Sequence, residues 1–145
     1  MNYQEYFKEL LTIIHSLQND FLKFLSPIVQ KHGLNIPQTV LLISIKGGCA
    51  ENIGSICKKL NMNQGNVSMM CKKLEQAGLL TKTRCNDDER IVSISLTEKG
   101  NAQLEEINNE IFSLTESNEY IKEEKLQKVL SGFRELSLIF NSFNV

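Results

Sequence analysis

Apolar positions in the middle of the chain form two helical stripes in succession. The first stripe has the spacing i, i+3, i+4 and i+7 and consists of Ile53, Ile56, Cys57 and Leu60. The second belongs to a helix from about residue 64 to residue 77 and consists of Val67, Met70, Cys71 and Leu74. Each pattern predicts an amphipathic helix with one buried face. Asn52 and Asn63 precede these helices and can cap them, because an Asn side-chain oxygen accepts a hydrogen bond from a free backbone N–H.

The pattern changes from helical to alternating after the second helix. Gly78 ends that helix, residues 79–84 begin an extended segment, and residues 91–96 form an alternating strand. Residues 85–90 are too polar to be buried and form a loop between the strands. Thr97 can cap another helix. Two helices, a strand, a loop and a second strand predict a winged helix-turn-helix whose hairpin tip is the wing, which favours DNA binding as the function.

The exposed side of the second helix has the composition of a surface that reads DNA bases. Small residues permit close approach, Asn or Gln can bond adenine, Ser can bond several bases, and lysines can meet phosphates. The predicted contacts of this recognition helix are Asn63, Gln64, Gly65, Asn66, Ser68, Met69, Lys72 and Lys73. An ordinary hydrophilic helix face fits the same composition equally well, so the assignment depends on the winged-helix context.

Four segments, in the right order, resemble the MarR family of bacterial transcription regulators. The family has a wing with an acidic-x-Arg element, then five residues, then Leu-Thr-x-x-Gly, and the matching residues are Asp88-Glu89-Arg90 and Leu96-Thr97-Glu98-Lys99-Gly100. Residues 33–38 are similar to the family's turn between its first two helices, and residues 73–79 to its recognition-helix exit. The resemblance therefore covers most of the chain.

The resemblance implies a homodimer that binds a palindromic operator in double-stranded DNA and usually represses transcription. Such regulators often release DNA when a small molecule or an oxidant arrives. The expected wing contacts are Lys82, Arg84 and Arg90, with Asp88 orienting Arg90 by family analogy while Arg90 enters the minor groove. The resemblance also implies a small aromatic or apolar anionic effector, bound between the dimerisation helices and the DNA-binding lobe, near the first helix, residues 38–45 and the recognition helix.

The two ends of the chain carry apolar residues at seven-residue intervals, which indicates helix-packing seams. The predicted dimerisation residues are Phe7, Leu10, Ile14, Leu17, Leu126, Val129, Phe133, Leu136, Phe140 and Phe143. An intramolecular bundle would satisfy the same stripes, but further apolar residues widen them beyond one seam, which favours a partner. Paired recognition helices about 34 Å apart would read successive major grooves on one side of the duplex.

The sequence therefore predicts a mainly α-helical fold with a small β-hairpin wing. We expect residues 35–100 to form the winged helix-turn-helix lobe, and residues 1–34 and 101–145 to form a helical dimerisation region. A chain of 145 residues with 41% hydrophobic content can bury a real core. It shows no signal peptide and no apolar run near the membrane-spanning length of about 20 residues, so we expect a cytoplasmic protein without membrane contact.

The net charge of −1 opposes DNA binding mildly, but the distribution of charge favours it. From residue 46 to residue 100, nine basic and six acidic side chains give a balance of +3, which leaves −4 for the remainder. Acidic residues 87–89 lie where phosphates should pass. We expect weak, salt-sensitive non-specific binding, with specificity from the recognition helix. A winged-helix module that binds protein instead of DNA is the alternative that the acidic wing supports.

The cysteines and histidines provide little ground for redox or metal chemistry. Cys57 and Cys71 lie on apolar stripes, where a free cysteine acts as a small hydrophobic residue. Cys85 follows Arg84, and a nearby cation can stabilise a thiolate, so a redox-sensing regulator is a second alternative, although the acidic run disfavours the thiolate. The two histidines lack metal-ligand spacing, and no phosphate-binding glycine loop or nucleophile elbow is present, so we expect no cofactor, metal or catalysis.

Overall fold

The computed structural model describes residues 2–46, 51–84 and 92–143. Its helices and strands follow in the order α1 (Tyr3–Lys31), α2 (Ile36–Lys46), β1 (Glu51–Asn52), α3 (Ile53–Leu60), α4 (Gln64–Gln76), β2 (Leu80–Arg84), β3 (Val92–Leu96), α5 (Glu98–Glu116) and α6 (Glu123–Asn141). The mainly helical content with an antiparallel strand pair confirms the predicted fold class.

The helix-turn-helix forms where the two apolar stripes predict it, and both predicted asparagine caps are present. The Oδ1 atom of Asn52 accepts the backbone N–H of Ser55 at 2.8 Å, and that of Asn63 accepts the N–H of Asn66 at 2.8 Å. Asn61 ends α3 in the left-handed region, with φ of 49°, which Asn tolerates better than most residues. Local side chains therefore fix the turn between the helices.

The turn between α1 and α2 is also closed by local hydrogen bonds. Gly33 has φ of +68°, a conformation that glycine adopts without steric cost. The backbone N–H of Gln38 donates to Oδ1 of Asn35 at 2.9 Å, and the N–H of Asn35 donates to Oε1 of Gln38 at 3.0 Å. This reciprocal cap starts α2 and confirms the turn expected at residues 33–38.

The sheet has three antiparallel strands in the order β1-β3-β2, which is one strand more than the predicted hairpin. β2 and β3 pair along their whole length, with Leu80 opposite Leu96 and Arg84 opposite Val92. β1 adds two residues to the other edge of β3. A strand of two residues has no alternation to detect, so the sequence pattern could not predict it.

Two compact units divide the chain, residues 1–108 and residues 109–145. The first contains the hydrophobic core, in which α2, α3 and β3 pack on one another. Its most deeply buried side chains include Val29, Leu41, Leu42, Ile56, Val67, Leu74, Ile94, Leu104 and Ile107. The second contains the end of α5 and all of α6, and none of its described side chains is buried. Among the described residues, no helix combines the length and apolar character needed to cross a membrane.

Candidate nucleic-acid interface

Helix α4 buries the predicted apolar stripe and exposes the opposite side. Val67, Cys71 and Leu74 are buried, and Met70 is half-buried. Seven of the residues expected to contact DNA are exposed: Asn63, Gln64, Gly65, Asn66, Met69, Lys72 and Lys73. The eighth, Ser68, is partly exposed. The protein therefore presents a continuous surface of amides, a thioether and two ammonium groups from one helix.

Gly65 is exposed in the first turn of α4. A Cβ atom added there would lie 3.4 Å from the Oδ1 atom of Asn63, which is close to ordinary van der Waals contact. Packing within the protein therefore does not require glycine at this position. A glycine inside a helix costs about 0.5–1 kcal/mol relative to alanine. The missing side chain instead favours close approach by an outside group such as a base edge.

The predicted wing lies partly outside the described residues. Cys85, Asp88 and Arg90 belong to residues 85–91, and Arg84 is described only as the last backbone position of β2. Lys82 is described, and its Nζ atom lies 3.0 Å from Oε2 of Glu75 on α4. This ion pair, which sequence patterns did not predict, connects β2 to the recognition helix.

Three donors from the Leu-Thr-x-x-Gly segment bind the carbonyl groups that follow α4. The Oγ1 hydroxyl of Thr97 donates to the carbonyl of Gly78 at 2.7 Å, and the Thr97 backbone N–H donates to that of Leu79 at 3.1 Å. Nζ of Lys99 donates to the carbonyl of Ala77 at 2.8 Å. We call the set Thr97, Lys99 and Gly100 the α4 clasp. The sequence identified this segment as a family motif but gave no structural role for its residues.

Gly100 belongs to the clasp because no side chain fits at its position. A Cβ atom there would lie 2.0 Å from the carbonyl oxygen of Leu79. On the facing segment, Gly78 has φ of +73°, as predicted for the residue that ends the recognition helix. The start of α5 and the end of α4 therefore approach each other backbone to backbone.

A cavity of about 360 Å³ lies where the ends of α1 and α4 meet the starts of α2 and α5. Its polar lining comes from His32, Gln38, Lys73, Lys99 and Gln103. Two lysines and no carboxylate are among its described lining residues, which favours an anionic occupant. The amide of Gln103 also donates to the carbonyl of His32, so α5 is bonded to the end of α1 beside this cavity.

Two cysteines that the structure describes are free thiols within the helix-turn-helix. Cys71 is fully buried, and burial, the largest influence, raises the pKa of its thiol. Cys57 is half-buried on α3. A buried thiol with a raised pKa is a poor nucleophile, so Cys71 serves as a core residue, as the stripe predicts. Within the described ranges, no group of three or more His, Cys, Asp and Glu side chains could hold a metal ion.

The fold and the exposed helix define a winged helix-turn-helix protein, and comparison with known proteins identifies its family. The profile of the family described as Transcriptional regulator SarA/Rot matches residues 23–107. The chain belongs to this family of transcriptional regulators. It is also 29% identical over 92 residues to the organic hydroperoxide resistance transcriptional regulator of Bacillus subtilis. That alignment covers 63% of each protein, so the chain spans less than two thirds of this relative.

Solved structures confirm the resemblance to MarR proteins at the level of the fold. Reduced AbfR bound to DNA has a TM-score of 0.82 at 22% identity, with coverage of 98% of this chain and 96% of AbfR. Staphylococcus aureus MarR, in complex with salicylate and kanamycin, has a TM-score of 0.77 at 21% identity, with coverage of 96% and 92%. The fold of this chain is therefore the MarR-type architecture that the four sequence segments predicted.

Proposed function

We propose that this protein is a homodimeric, sequence-specific DNA-binding regulator that represses transcription in the cytoplasm. The observation that carries the proposal is the α4 surface, where the residues expected to meet bases and phosphates are exposed while the apolar stripe behind them is buried. AbfR, whose fold this chain shares, has been solved bound to DNA. Regulation rather than catalysis is the activity that this site supports.

In this proposal, the first turns of α4 enter the major groove. Asn63 caps the helix, Gln64 and Asn66 offer amides to base edges, and Gly65 permits close approach. Lys72 and Lys73, farther along the same exposed side, would then contact phosphates. Met69 is 54% exposed, and its thioether offers an apolar contact for a thymine methyl group.

The terminal helices support dimerisation because each exposes large apolar side chains. Phe7, Leu17 and Phe21 are 44%, 45% and 54% exposed on α1. On α6, Leu126, Val129, Phe133 and Phe140 are also exposed, as is Phe143 just after it. Leu10 and Ile14 of α1 and Leu136 of α6 are half-buried. Apolar surface of this extent is rarely left in water. We propose that residues 1–34 and 101–145 form the dimer interface and that residues 35–100 form the reading lobe on a palindromic operator.

The cavity beside Lys73 and Lys99 is the effector site that we propose. Lys73 suits the carboxylate of a small aromatic or apolar acid, Lys99 adds positive charge from its position on the Ala77 carbonyl, and the cavity touches the recognition helix directly. Staphylococcus aureus MarR, which has the same fold, has been solved with salicylate. An effector relieves repression only if it binds the DNA-free state more tightly than the DNA-bound state.

Selection of bound fragments from the source genome tests the proposal most directly. The wild-type protein should enrich fragments that share a palindrome, and sedimentation should give the mass of two chains. Changing Asn66, Lys72 and Lys73 together to Ala should abolish the enrichment without changing that mass. If wild-type protein enriches no fragment, or sediments as a single chain, the proposal fails and a protein-binding winged helix becomes the better interpretation.

A further inference from the structure

We propose that Thr97 and Lys99 are positioning residues for DNA recognition, because they fix the end of α4 and thereby the direction of its reading surface. This inference rests on the proposed function and adds two residues that do not belong to the recognition helix or the wing. In this arrangement, the ammonium group of Lys99 donates a hydrogen bond to the carbonyl of Ala77 and does not contact a DNA phosphate.

The end of α4 needs partners because the helix itself provides no backbone N–H donor for its last carbonyl groups. The chain itself supplies two closing bonds, from Gly78 N–H to the carbonyl of Glu75 and from Leu79 N–H to that of Leu74, both at 2.9 Å. The carbonyls at positions 77 to 79, which follow the last residue of α4, accept hydrogen bonds from Lys99 and Thr97. An ammonium group also suits the negative end of the helix dipole.

Thr97 connects the two helices through a single hydroxyl group. Its Oγ1 atom donates to the carbonyl of Gly78 at 2.7 Å and accepts the backbone N–H of Gly100 at 3.0 Å. The same atom therefore caps α5 and binds the end of α4. A rotation of α4 that moved Gly78 away would break the bond from the Thr97 hydroxyl to the Gly78 carbonyl, while the close approach of Gly100 to Leu79 leaves no room for sliding.

The proposal has a signature that separates positioning from phosphate contact. A lysine that neutralises a phosphate contributes about 1 to the slope of log affinity against log salt and acts on all sequences. A lysine that aims the recognition helix affects the selected sequence much more than other sequences and leaves that slope unchanged. Lys99 should follow the second pattern and Lys72 the first.

The test uses full-length protein, the duplex enriched by wild-type protein and a scrambled duplex of equal length and composition. Lys99→Met keeps most of the side-chain stem and removes the donor. We expect it to weaken binding of the selected duplex about tenfold, because the freed end of α4 must then be ordered in the complex, with less than about a twofold change for the scrambled duplex. Its salt slope should equal that of the wild type. Lys99→Arg, which keeps a cationic donor, should restore most of the affinity.

Two further variants make the result decisive. Thr97→Val should lower the ratio of the two affinities, and Thr97→Ser should restore it. Hydrogen exchange of the Gly78 and Leu79 amides should accelerate in Lys99→Met, whereas exchange at the buried Val67 should not.

Equal weakening of both duplexes with a shallower salt slope would make Lys99 a phosphate contact and overturn the inference. The inference would also be overturned if Lys99→Met and Thr97→Val both kept the wild-type ratio of affinity for the selected duplex to affinity for the scrambled duplex. Either result would leave the proposed function intact, because wild-type protein would still select its duplex. Failure of the wild-type protein to select any duplex would remove the proposed function and this inference together.

Discussion

Glu75 and Lys82 join the recognition helix to the second strand of the sheet, with 3.0 Å between Oε2 of the glutamate and Nζ of the lysine. The two side chains are 40% and 26% exposed, so water only partly screens the pair. The resemblance to the MarR family implied that Lys82 is a wing contact with DNA. In the structure its charge is partly neutralised by a residue of α4, which reduces what Lys82 can contribute to DNA binding.

Glu75→Gln should increase non-specific DNA affinity at low salt, because it releases the charge of Lys82. The cost in folding stability should be small, about 1 kcal/mol or less, as for other partly exposed ion pairs. Fluorescence anisotropy with a scrambled duplex across a salt series measures the first effect, and thermal unfolding measures the second. Glu119→Gln changes the net charge equally at an exposed position and is the matched control. An equal gain in both variants would show that net charge, not Lys82, is responsible.

Gly100→Ala should destabilise the protein by about 2 kcal/mol or more, because its Cβ atom would lie 2.0 Å from the carbonyl oxygen of Leu79. Gly132→Ala is the matched control within α6, since a Cβ atom there meets nothing within 4 Å. It should stabilise the protein by about 0.5–1 kcal/mol, because alanine loses less backbone entropy in a helix. Urea unfolding of both variants measures the two effects, and effects of the same sign would contradict this reading of Gly100.

Local signals predicted the helix-turn-helix well, because caps and stripes involve residues three or four positions apart. Asn63 and the apolar positions of α4 could be assigned from spacing alone. The α4 clasp could not, since Lys99 reaches a carbonyl 22 positions earlier and such a contact leaves no periodic trace. The ion pair between Glu75 and Lys82 could not be predicted either, because it joins a helix to a strand across the turn at Gly78 and follows neither a helical nor an alternating period.

Stability should fall at alkaline pH in a way that depends on Cys71. Burial, the main cause, raises the pKa of this thiol above its ordinary value of 9.0, although the nearby Lys82 opposes the shift. Above pH 9 the unfolded chain therefore releases a proton that the folded state retains, and the free energy of unfolding decreases as pH rises. Below pH 9 both states keep the proton and the contribution is constant.

Urea unfolding between pH 7 and pH 10 tests the role of Cys71 against Cys71→Ala. The variant has lower stability at every pH because it leaves a cavity, but its alkaline decrease should be shallower than that of the wild type. Iodoacetamide should also leave Cys71 unmodified in the folded protein at pH 7 and modify it after unfolding. Parallel pH profiles for the two proteins would show that other groups cause the alkaline loss.

Asn63 has two roles that a pair of substitutions can separate. Its Oδ1 atom accepts the backbone N–H of Asn66 at 2.8 Å, and the residue also lies at the end of α4 proposed to enter the major groove. Asn63→Ala should cost about 1 kcal/mol of stability and weaken DNA binding. Asn63→Asp keeps a capping oxygen and should preserve stability, yet its negative charge should weaken binding at least as strongly. Thermal unfolding and anisotropy with the selected duplex measure both effects. Wild-type affinity in Asn63→Asp would mean that this end of α4 stays away from DNA.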